Sequence, residues 1–478
     1  MAQRGRIGLR FWMLRAVAEC TRAARDFDAG AVHDLRVALR RCRSMADGFM
    51  TFDPHPGWRE MKKEGKRLFN RLGDLRDTHV MIDWVQRLGA AGDAAAAMLT
   101  GYLTTQEQRL RELALDALQE FDARKWLSWS SQLSVRAARI PAASLAFKHL
   151  ALERWQEAHE LHRLALRNRS QVAFHRLRIG LKRFRYTVEN FLPNRQNEWD
   201  ADLRDLQDLL GETHDLYVLW RTALKIGALK DSEVRQRWRD RIVQERGQRL
   251  TLYRQKMCGR GSLWWAWRAG LPAGGDVTLS AMAGIEQWAA YRDPDITHAR
   301  HVAMLALQLF AGLAGDMLPG GMSAEVARSI LQAAALMHDV GRAQATRKHH
   351  RISGRMIRKL DPPLGMDPKY FPLAALVARY HRGALPRLAH KRLAGLPDEQ
   401  RRLVMFLAGI LRLANAFDLA HDRRIRHLET QRSSEVLLIR AHGYSARDPL
   451  APKLACARHL LEVVCGMPVW FDEGAASG

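Results

Sequence analysis

The strongest constraint on the fold is an internal repeat of a helical segment. VHDLRVALRRCRSMADGFM at 32–50 matches FHRLRIGLKRFRYTVENFL at 174–192, and RLGDLRDTHVM at 71–81 matches LLGETHDLYVL at 209–219. The two matches are offset by 142 and 138 residues, which indicates two similar units of about 140 residues in tandem. Apolar residues recur at three- and four-residue spacing with few Gly or Pro, the pattern of amphipathic helices.

Each copy of this segment carries a basic stripe beside an apolar stripe. Steps of three, four and three residues confine the basic side chains to one arc of the helix. The basic stripes comprise His33, Arg36, Arg40 and Arg43 in the first copy, and His175, Arg178, Lys182 and Arg185 in the second. The apolar stripes comprise Leu35, Leu39, Cys42, Ala46 and Phe49, and Leu177, Leu181, Phe184, Val188 and Phe191. We expect the apolar face to pack into a bundle and the basic face to line an open surface or groove.

The charge of the chain favours a polyanionic ligand. Its formal net charge is +25, and residues 1–270 contain 49 Lys and Arg against 32 Asp and Glu, so most of the excess lies there. The stripes lack the i,i+4 acid–base pairs usual on solvated helices, and clustered like charges are mildly destabilising without an anion. The alternative is that each stripe is only a solvated helix face.

Phosphate is the anion that these side chains suit best. A guanidinium group donates two parallel charge-assisted hydrogen bonds to phosphate, and protonated histidines also donate. The predicted contacts extend beyond the stripes to Arg41, Arg183, Lys66 and Arg204. Non-specific nucleic-acid binding is the rival hypothesis, but Tyr186 is the one aromatic residue in the stripes and base stacking normally needs several.

At these residues the sequence resembles the CHAD domain, the conserved-histidine α-helical domain. The shared pattern is H-x-x-R-V/I-x-x-R/K-R-x-R followed by LG-x-x-R/H-D, and it occurs twice. The resemblance covers roughly residues 5–270, with repeats at about 5–140 and 141–270. It implies two four-helix bundles related by a pseudo-twofold axis, a basic channel, inorganic polyphosphate as ligand, and association with polyphosphate granules. It also adds Arg76 and His214 as equivalent phosphate contacts.

A second set of residues, rich in histidine and aspartate, follows residue 281. His298 and His301 begin an amphipathic helical segment, and AALMHDVGRA then places His338 beside Asp339. Further along come His349, His350 and His381, and LRLANAFDLAHD, which contains Asn415 and Asp418. Neutral imidazole and carboxylate suit a borderline divalent metal, and a bound metal activates water for hydrolysis of phosphate esters or anhydrides.

This region resembles the HD superfamily, and within it the C-terminal part of exopolyphosphatase and guanosine pentaphosphate phosphohydrolases. The matching stretches are HARHVAMLALQLF, LMHDVGRA, HHRISGRMI, YHR and LRLANAFD. The resemblance implies a divalent metal (Mn, Mg, Fe or Zn) held by His298, His338, Asp339 and a final acid. Here Asn415 stands in place of that acid and Asp418 lies one turn away, so the catalytic residues stay unassigned.

The predicted fold is all-α, with a minor β element near the C-terminus. SEVLLIRAHG is the one segment with a strand pattern, and LACARHLLEVV reads as a last helix. We expect a CHAD-like domain at 5–270, a linker at 271–280 and an HD-like domain at 281–478. Five scattered cysteines without a CxxC and the lack of a signal-peptide pattern favour a cytoplasmic protein.

Three functions follow from the sequence. The first is binding of inorganic polyphosphate, with an HD-like module that either extends the binding or hydrolyses phosphate. The second is a metal-dependent phosphohydrolase acting on polyphosphate or a guanosine polyphosphate, against which Asn415 counts because a metal site prefers Asp. The third is non-specific nucleic-acid binding, which the charge permits and no motif supports.

Overall fold

The computed structural model describes residues 8–387, 389–445 and 447–473, without the side chains of Ala29 and Asp316. Residues 5–7 and 474–478 of the predicted domains therefore lie outside the described residues. The chain divides into two compact units between Ala273 and Gly274, and Phe52–Pro54 belong to the second unit. Helices dominate both units, which confirms the all-α class.

The first unit consists of two successive helical halves. Each half has four long helices followed by a shorter fifth helix, and three helices of one half equal their counterparts in length. The first half contains α1 (Leu9–Asp26), α2 (Ala29–Phe49), α3 (Pro56–Leu88), α4 (Ala94–Gln119) and α5 (Ala123–Ala137). The second contains α6 (Leu145–Asn168), α7 (Gln171–Phe191), α8 (Pro193–Lys225), α9 (Ser232–Met257) and α10 (Leu263–Ala269).

Equivalent residues begin the helices of the two halves. The Asp28 side chain accepts a hydrogen bond from Ala31 N at the start of α2, and Ser170 does the same for Ala173 N at the start of α7. Proline occupies the first position of both α3 and α8, where its fixed φ suits a helix and its missing N–H costs nothing. The repeat therefore specifies where its helices start as well as which faces they bury.

The apolar stripes of α2 and α7 are buried, as predicted. All ten stripe residues are buried, with Leu35, Leu39, Cys42 and Leu177 at 0% exposure. The ends of the stripes meet, since the rings of Phe49 and Phe191 lie 5.4 Å apart, edge to face. Gly48 permits this approach, because a Cβ at that position would lie 2.3 Å from the Phe191 ring.

The second unit contains helices α11 to α18 and three strands. The segment 271–280, expected to be a linker, contains the first turns of α11, which begins at Gly275. Its helices are α11 (Gly275–Ala290), α12 (Ile296–Met317), α13 (Ala324–Met337), α14 (His349–Ile357), α15 (Leu373–Tyr380), α16 (Lys391–Ala394), α17 (Asp398–Phe417) and α18 (Ala451–Cys465). Its strands are β1 (His427–Arg432), β2 (Leu437–His442) and β3 (Val469–Glu473).

The core of the second unit lies between α12, α13, α15 and α17, and their apolar faces are fully buried. A small sheet of order β1-β2-β3 packs beside it, with β2 antiparallel to β1 and parallel to β3. The sequence predicted β2 alone, because β1 and β3 are short edge strands with several charged or polar residues. No helix in the described part of the chain is long and apolar enough to cross a membrane.

Candidate functional sites

The basic stripes of the two repeats come together in the first unit. Helices α2 and α7 pack against each other, and the two basic stripes occupy equivalent positions along these helices. Burial, together with the charges of Arg178 and Arg40, lowers the pKa of Lys182 to about 8. The structure therefore forms one site from both stripes. We call it the two-stripe site and define it by six residues: Arg36, Arg40, His175, Arg178, Lys182 and His214.

Two carboxylates, one from each repeat, lie at the two-stripe site. Asp77 on α3 and Asp215 on α8 are equivalent in the repeat, and both interact electrostatically with Arg178 and Lys182. Burial raises the pKa of Asp215 to about 6 despite the opposing effect of Arg178. Cations still outnumber these acids, so the site keeps an excess of positive charge.

Two histidines of the second repeat, His175 and His214, lie side by side at this site. The rings of His175 and His214 are 4.7 Å apart. Burial and the charge of Arg178 lower the pKa of both imidazoles, to about 4 for His214. Both are neutral near pH 7 in the free protein, and each then donates one N–H rather than two.

Aromatic rings support the arginines of the stripes from below. The guanidinium carbons of Arg36 and Arg43 each lie 4.6 Å from the centre of the Phe69 ring, and Arg40 lies 5.3 Å from that of Tyr186. Cation–π contacts of this kind hold a guanidinium plane in place without using its N–H donors. Arg36 Nη1 donates to Phe69 O at 3.3 Å and Arg40 Nη2 lies 3.8 Å from Glu189 Oε1, so the remaining guanidinium donors are the ones available for an anion.

Several buried nitrogen atoms of the stripes, together with one of His214 on α8, have no hydrogen-bond partner among the described residues. They are Nε of Arg40, Arg43, Arg178 and Arg185, and Nδ1 of His175 and His214. A buried donor without a partner is costly, so a concentration of them in one place points to a missing acceptor. A ligand with many acceptor oxygens meets that requirement.

The second unit contains a buried pocket of histidines around one aspartate, which we call the histidine pocket. It consists of His338, Asp339, His349 and His381, all buried. The Oδ1 atom of Asp339 lies 3.1 Å from His349 Nε2, 3.6 Å from His381 Nε2 and 3.7 Å from His338 Nε2. Four ligand-type side chains from three segments of the chain thus converge on one point.

Backbone carbonyls fix the orientation of all three imidazoles. The Nδ1 atom of His338 donates to Ala335 O at 2.6 Å, and His349 and His381 do the same to the carbonyls three residues before them, at 2.6 and 2.7 Å. A carbonyl accepts only, so each Nδ1 carries a proton, and each Nε2 is left to donate to Asp339 or, once deprotonated, to ligate a metal. This is the arrangement in which second-shell contacts orient histidine ligands toward a metal.

The electrostatics of the pocket keep its carboxylate ionised. Burial opposes ionisation of Asp339, but His338 and His349 outweigh it and hold the pKa of that carboxyl well below its usual range. Burial lowers the pKa of His381 well below its usual value. A neutral imidazole and an ionised carboxylate are the forms that bind a metal ion.

His298 lies beside this pocket, and each of its ring nitrogens has a hydrogen-bond partner. Its Nδ1 lies 2.7 Å from Asp418 Oδ2, and its Nε2 lies 3.1 Å from Asn415 Oδ1. Burial lowers the pKa of His298, but the hydrogen bond to Asp418 and the nearby carboxylates raise it overall. The predicted residues His298, His338 and Asp339 nevertheless lie together, with one ligand atom of each within 4.8 Å of the others, so this set overlaps the histidine pocket at His338 and Asp339.

The pocket residues fit a divalent metal. His338 Nε2 is fully buried without a hydrogen-bond partner, which is the orphaned atom that a metal would satisfy. Three imidazole nitrogens and one carboxylate are a donor set for Zn, Mn or Fe. His338, Asp339, His349 and His381 are the residues that would hold the ion.

Comparison with known families agrees with this division into sites. The family model of the CHAD domain matches residues 13–224, and that of Ppx/GppA phosphatase, domain III, matches residues 282–448. Two parts of the chain thus each match the model of a known domain, and we call these parts the CHAD domain and domain III after the matches. Both domains point to a function related to polyphosphate.

Among solved structures, a crystal structure of the CHAD domain from the plant Ricinus communis is similar to this chain. The identity is 23% and the TM-score is 0.38, over 56% of this chain and 89% of that one. No curated protein matches the sequence.

Several predicted phosphate contacts of the CHAD domain have protein partners instead. Arg41 pairs with Glu189 and Arg183 with Glu157, while Arg204 pairs with Asp200 and Arg185 donates to Gln207 Oε1 at 3.0 Å. His33, Lys66 and Arg76 are exposed and form no ion pair among the described residues. Of the three, Arg76 lies near enough to interact with Arg36.

Sequence reasoning missed functional residues in both domains. In the CHAD domain these are the acids Asp77 and Asp215, although the repeated Asp that ends LGDLRD and LGETHD was a visible signal. In domain III they are the candidate ligands His349 and His381, which the sequence analysis named in HHRISGRMI and YHR without assigning them to the metal site. Their roles became visible only when the helices placed their Nε2 atoms around Asp339.

Proposed function

We propose that this protein binds inorganic polyphosphate at the two-stripe site of its CHAD domain. The observation that carries the proposal is the meeting of two cationic stripes, from different repeats, with buried guanidinium and imidazole nitrogens that lack acceptors. Polyphosphate offers ionised oxygens along its whole length, and bidentate guanidinium contacts recognise them without a base-reading element. Cytoplasmic polyphosphate granules are the proposed location.

A phosphate chain fits this site better than a nucleic acid. The rings of Phe69 and Tyr186 lie under guanidinium groups, so they support cations instead of offering free faces to bases. Recognition of phosphate alone requires dense cations and no stacking surface. The site has the first property and lacks exposed aromatic platforms in its described residues.

Comparison of two polyanions tests this proposal. Affinities of the full chain for polyphosphate and for single-stranded DNA of equal charge are measured across a range of salt concentrations. We expect tighter binding of polyphosphate at every salt concentration, because its charge density matches the clustered guanidinium groups. Equal affinities with equal salt slopes would contradict specificity for polyphosphate.

We propose metal-dependent hydrolysis of phosphate anhydrides or esters as a second function, located in domain III. The observation that favours it is the histidine pocket, with three oriented imidazoles around an ionised Asp339. A divalent metal, when bound, supplies Lewis acidity and a water of lowered pKa. The chain's own contribution is to hold the three Nε2 lone pairs and the carboxylate in place.

Phosphate release tests the second function. Release from polyphosphate and from guanosine polyphosphates is followed with added Mn²⁺ or Mg²⁺ in the wild type, in His338→Ala and in His459→Ala. His459 lies on α18 and its side chain is 59% exposed, so it controls for loss of any histidine. We expect metal-dependent release that only His338→Ala abolishes. Absence of release from every substrate would leave polyphosphate binding as the function of the chain.

A further inference from the structure

A second group of cations lies in domain III, apart from the residues assigned above. Arg351 on α14, Arg379 on α15, Arg382 after α15 and Arg392 on α16 form what we call the guanidinium patch. Burial and the neighbouring charges of Arg351 and Arg392 lower the pKa of Arg379. Arg351, Arg379 and Arg382 also lie within electrostatic reach of His350. Four guanidinium groups from three helices and a turn are thus gathered in one place.

The packing of the helices builds this patch. Gly354 on α14 lies against α15, where a Cβ would be 2.9 Å from Ala375 O and 3.0 Å from the Cβ of Arg379. The turn that follows α15 is fixed by Arg412, which donates to Tyr380 O at 3.0 Å and Gly383 O at 2.8 Å. The fold therefore holds Arg379 and Arg382 beside α14 by close packing and hydrogen bonds.

The patch has no acidic counterpart. Across residues 8–387, 389–445 and 447–473, none of its four arginines forms an ion pair, whereas the nearby Arg342 pairs with Asp339 at 3.0 Å. One guanidinium nitrogen, Nη1 of Arg379, is buried without a hydrogen-bond partner. Uncompensated like charges repel, so an anion with several acceptor oxygens would stabilise this arrangement.

The patch is separated from the histidine pocket by one side chain. His350 contacts the pocket, with its ring 5.7 Å from that of His349 and 6.3 Å from that of His381. The same residue lies next to Arg351 and Arg379 of the patch. An anion held by the patch would therefore extend toward the pocket where the metal ligands converge.

We propose that the guanidinium patch is a second binding site for a phosphate chain, which it holds beside the histidine pocket. The inference rests on the proposed binding of polyphosphate by this protein. Its charge and geometry suit linked phosphates, because guanidinium groups bind phosphate oxygens bidentately and successive arginines contact successive phosphates. Tyr380, the aromatic residue beneath Arg379, is buried and offers no face for a base.

The experiment measures polyphosphate binding in a protein whose first site has been removed. The starting variant is R36A/R40A/R178A/K182A in the full chain. Arg351→Gln, Arg379→Gln and Arg382→Gln are added to it, and a matched control instead adds Arg328→Gln, Arg426→Gln and Lys453→Gln. The control positions are exposed cations on other segments of the same unit. Circular dichroism and thermal unfolding verify that each variant folds.

We expect the starting variant to retain weaker polyphosphate binding, which the patch substitutions reduce by at least about tenfold and the control substitutions leave nearly unchanged. Absence of residual binding in the starting variant, or equal losses in patch and control variants, would overturn this inference while leaving the two-stripe site intact. If the patch substitutions reduced the affinity for single-stranded DNA as much as that for polyphosphate, the patch would be a general polyanion site, and this result would also overturn the inference. Failure of the wild type to bind polyphosphate would overturn the proposed function and this inference with it.

Discussion

Arg41 of the first repeat forms an ion pair with Glu189 of the second, with 2.5 Å between Nη2 and Oε1. Arg41 also donates from Nη1 to Glu189 O at 3.0 Å and to Asn190 Oδ1 at 3.1 Å. Glu189 is buried and the Arg41 side chain is 14% exposed, so this contact joins α2 to α7 away from bulk water. Arg183, which occupies the equivalent position of the repeat, forms its pair with Glu157 at the surface.

Arg41→Ala is expected to destabilise the protein far more than Arg183→Ala. Loss of Arg41 leaves Glu189 buried with Arg40, at 3.8 Å, as its one remaining ion-pair partner in the described part of the chain, which costs about 3 kcal/mol of unfolding free energy. The Arg183 side chain is 55% exposed, so its loss costs less than about 1 kcal/mol. Urea denaturation of both variants measures the difference. Equal costs would show that the ion pair of Arg41 is not a structural contact between the repeats.

Affinity for long-chain polyphosphate is expected to fall as the pH rises from about 5 to about 9. Asp215, with a pKa of about 6, becomes an anion above that pH and opposes the ligand. Lys182, with a pKa of about 8, loses its charge above that pH. Anion binding raises the pKa of each group. The affinity therefore falls as the pH rises from the pKa that the group has in the free protein to the pKa that it has in the complex. The other groups facing them are Arg36, Arg40, Arg178, His175, His214, Asp77 and Glu212.

Two variants separate the contributions to this pH profile. Asp215→Asn removes the loss of affinity that begins near pH 6, and Lys182→Arg removes the loss that begins near pH 8. Fluorescence anisotropy with labelled polyphosphate at constant ionic strength measures the profile. An affinity that is flat or rises with pH would show that neither group faces the ligand.

Removal of the acid at the equivalent position of the first repeat is expected to strengthen binding. Asp77 interacts with Arg36, Arg178 and Lys182 and competes with phosphate for them. Asp77→Asn keeps the shape of the side chain and should raise affinity for polyphosphate roughly two- to fivefold at pH 7. Asp116→Asn, at another residue of the same unit, serves as the charge-matched control. Equal gains in both variants would indicate a general effect of net charge.

The helices of the CHAD domain could be predicted from the sequence because the same helical pattern occurs twice in the repeat. Burial of the apolar stripes follows from helical spacing, and Leu39 and Leu181 occupy the predicted core. The histidine–aspartate motif of domain III was also visible, since His338 and Asp339 are adjacent in the chain. These features depend on local pattern and need no knowledge of the tertiary packing.

Features that depend on tertiary packing could not be predicted. Arg41 and Arg183 are equivalent in sequence, and only the position of Glu189 distinguishes a buried pair from an exposed one. His349 and His381 lie 32 residues apart, and their Nε2 atoms approach to 3.3 Å only because α14 packs against α15. Asn415, which stands where the resemblance implies an acidic ligand, lies 3.1 Å from His298 Nε2, a contact that spacing does not reveal.

Metal binding by the histidine pocket is expected to depend on His349 and His381. Each supplies an oriented Nε2, so alanine at either position should weaken binding of Mn²⁺ or Zn²⁺ by about ten- to a hundredfold or more. Isothermal titration calorimetry of the metal alone measures this, with His459→Ala as the control. Wild-type affinity in both pocket variants would contradict the assignment of these ligands.

Introduction of an acid at position 415 is expected to strengthen metal binding by the overlapping set His298, His338 and Asp339. Asn415→Asp places a carboxylate 3.1 Å from His298 Nε2, in the position that Asn415 Oδ1 now occupies. A carboxylate is a better ligand than an amide, so the affinity for Mn²⁺ should rise about tenfold. An unchanged affinity, with the fold intact, would show that position 415 takes no part in holding the ion.

The most direct test of polyphosphate binding at the two-stripe site compares two fourfold variants of equal charge. One replaces Arg36, Arg40, Arg178 and Lys182 by Ala, and the other replaces the exposed cations Arg109, Arg124, Arg239 and Arg260. Titration of each with polyphosphate at one salt concentration gives the affinities. If polyphosphate binds at the two-stripe site, the affinity falls by at least about a hundredfold in the first variant and changes little in the second. Equal losses in both variants would contradict it.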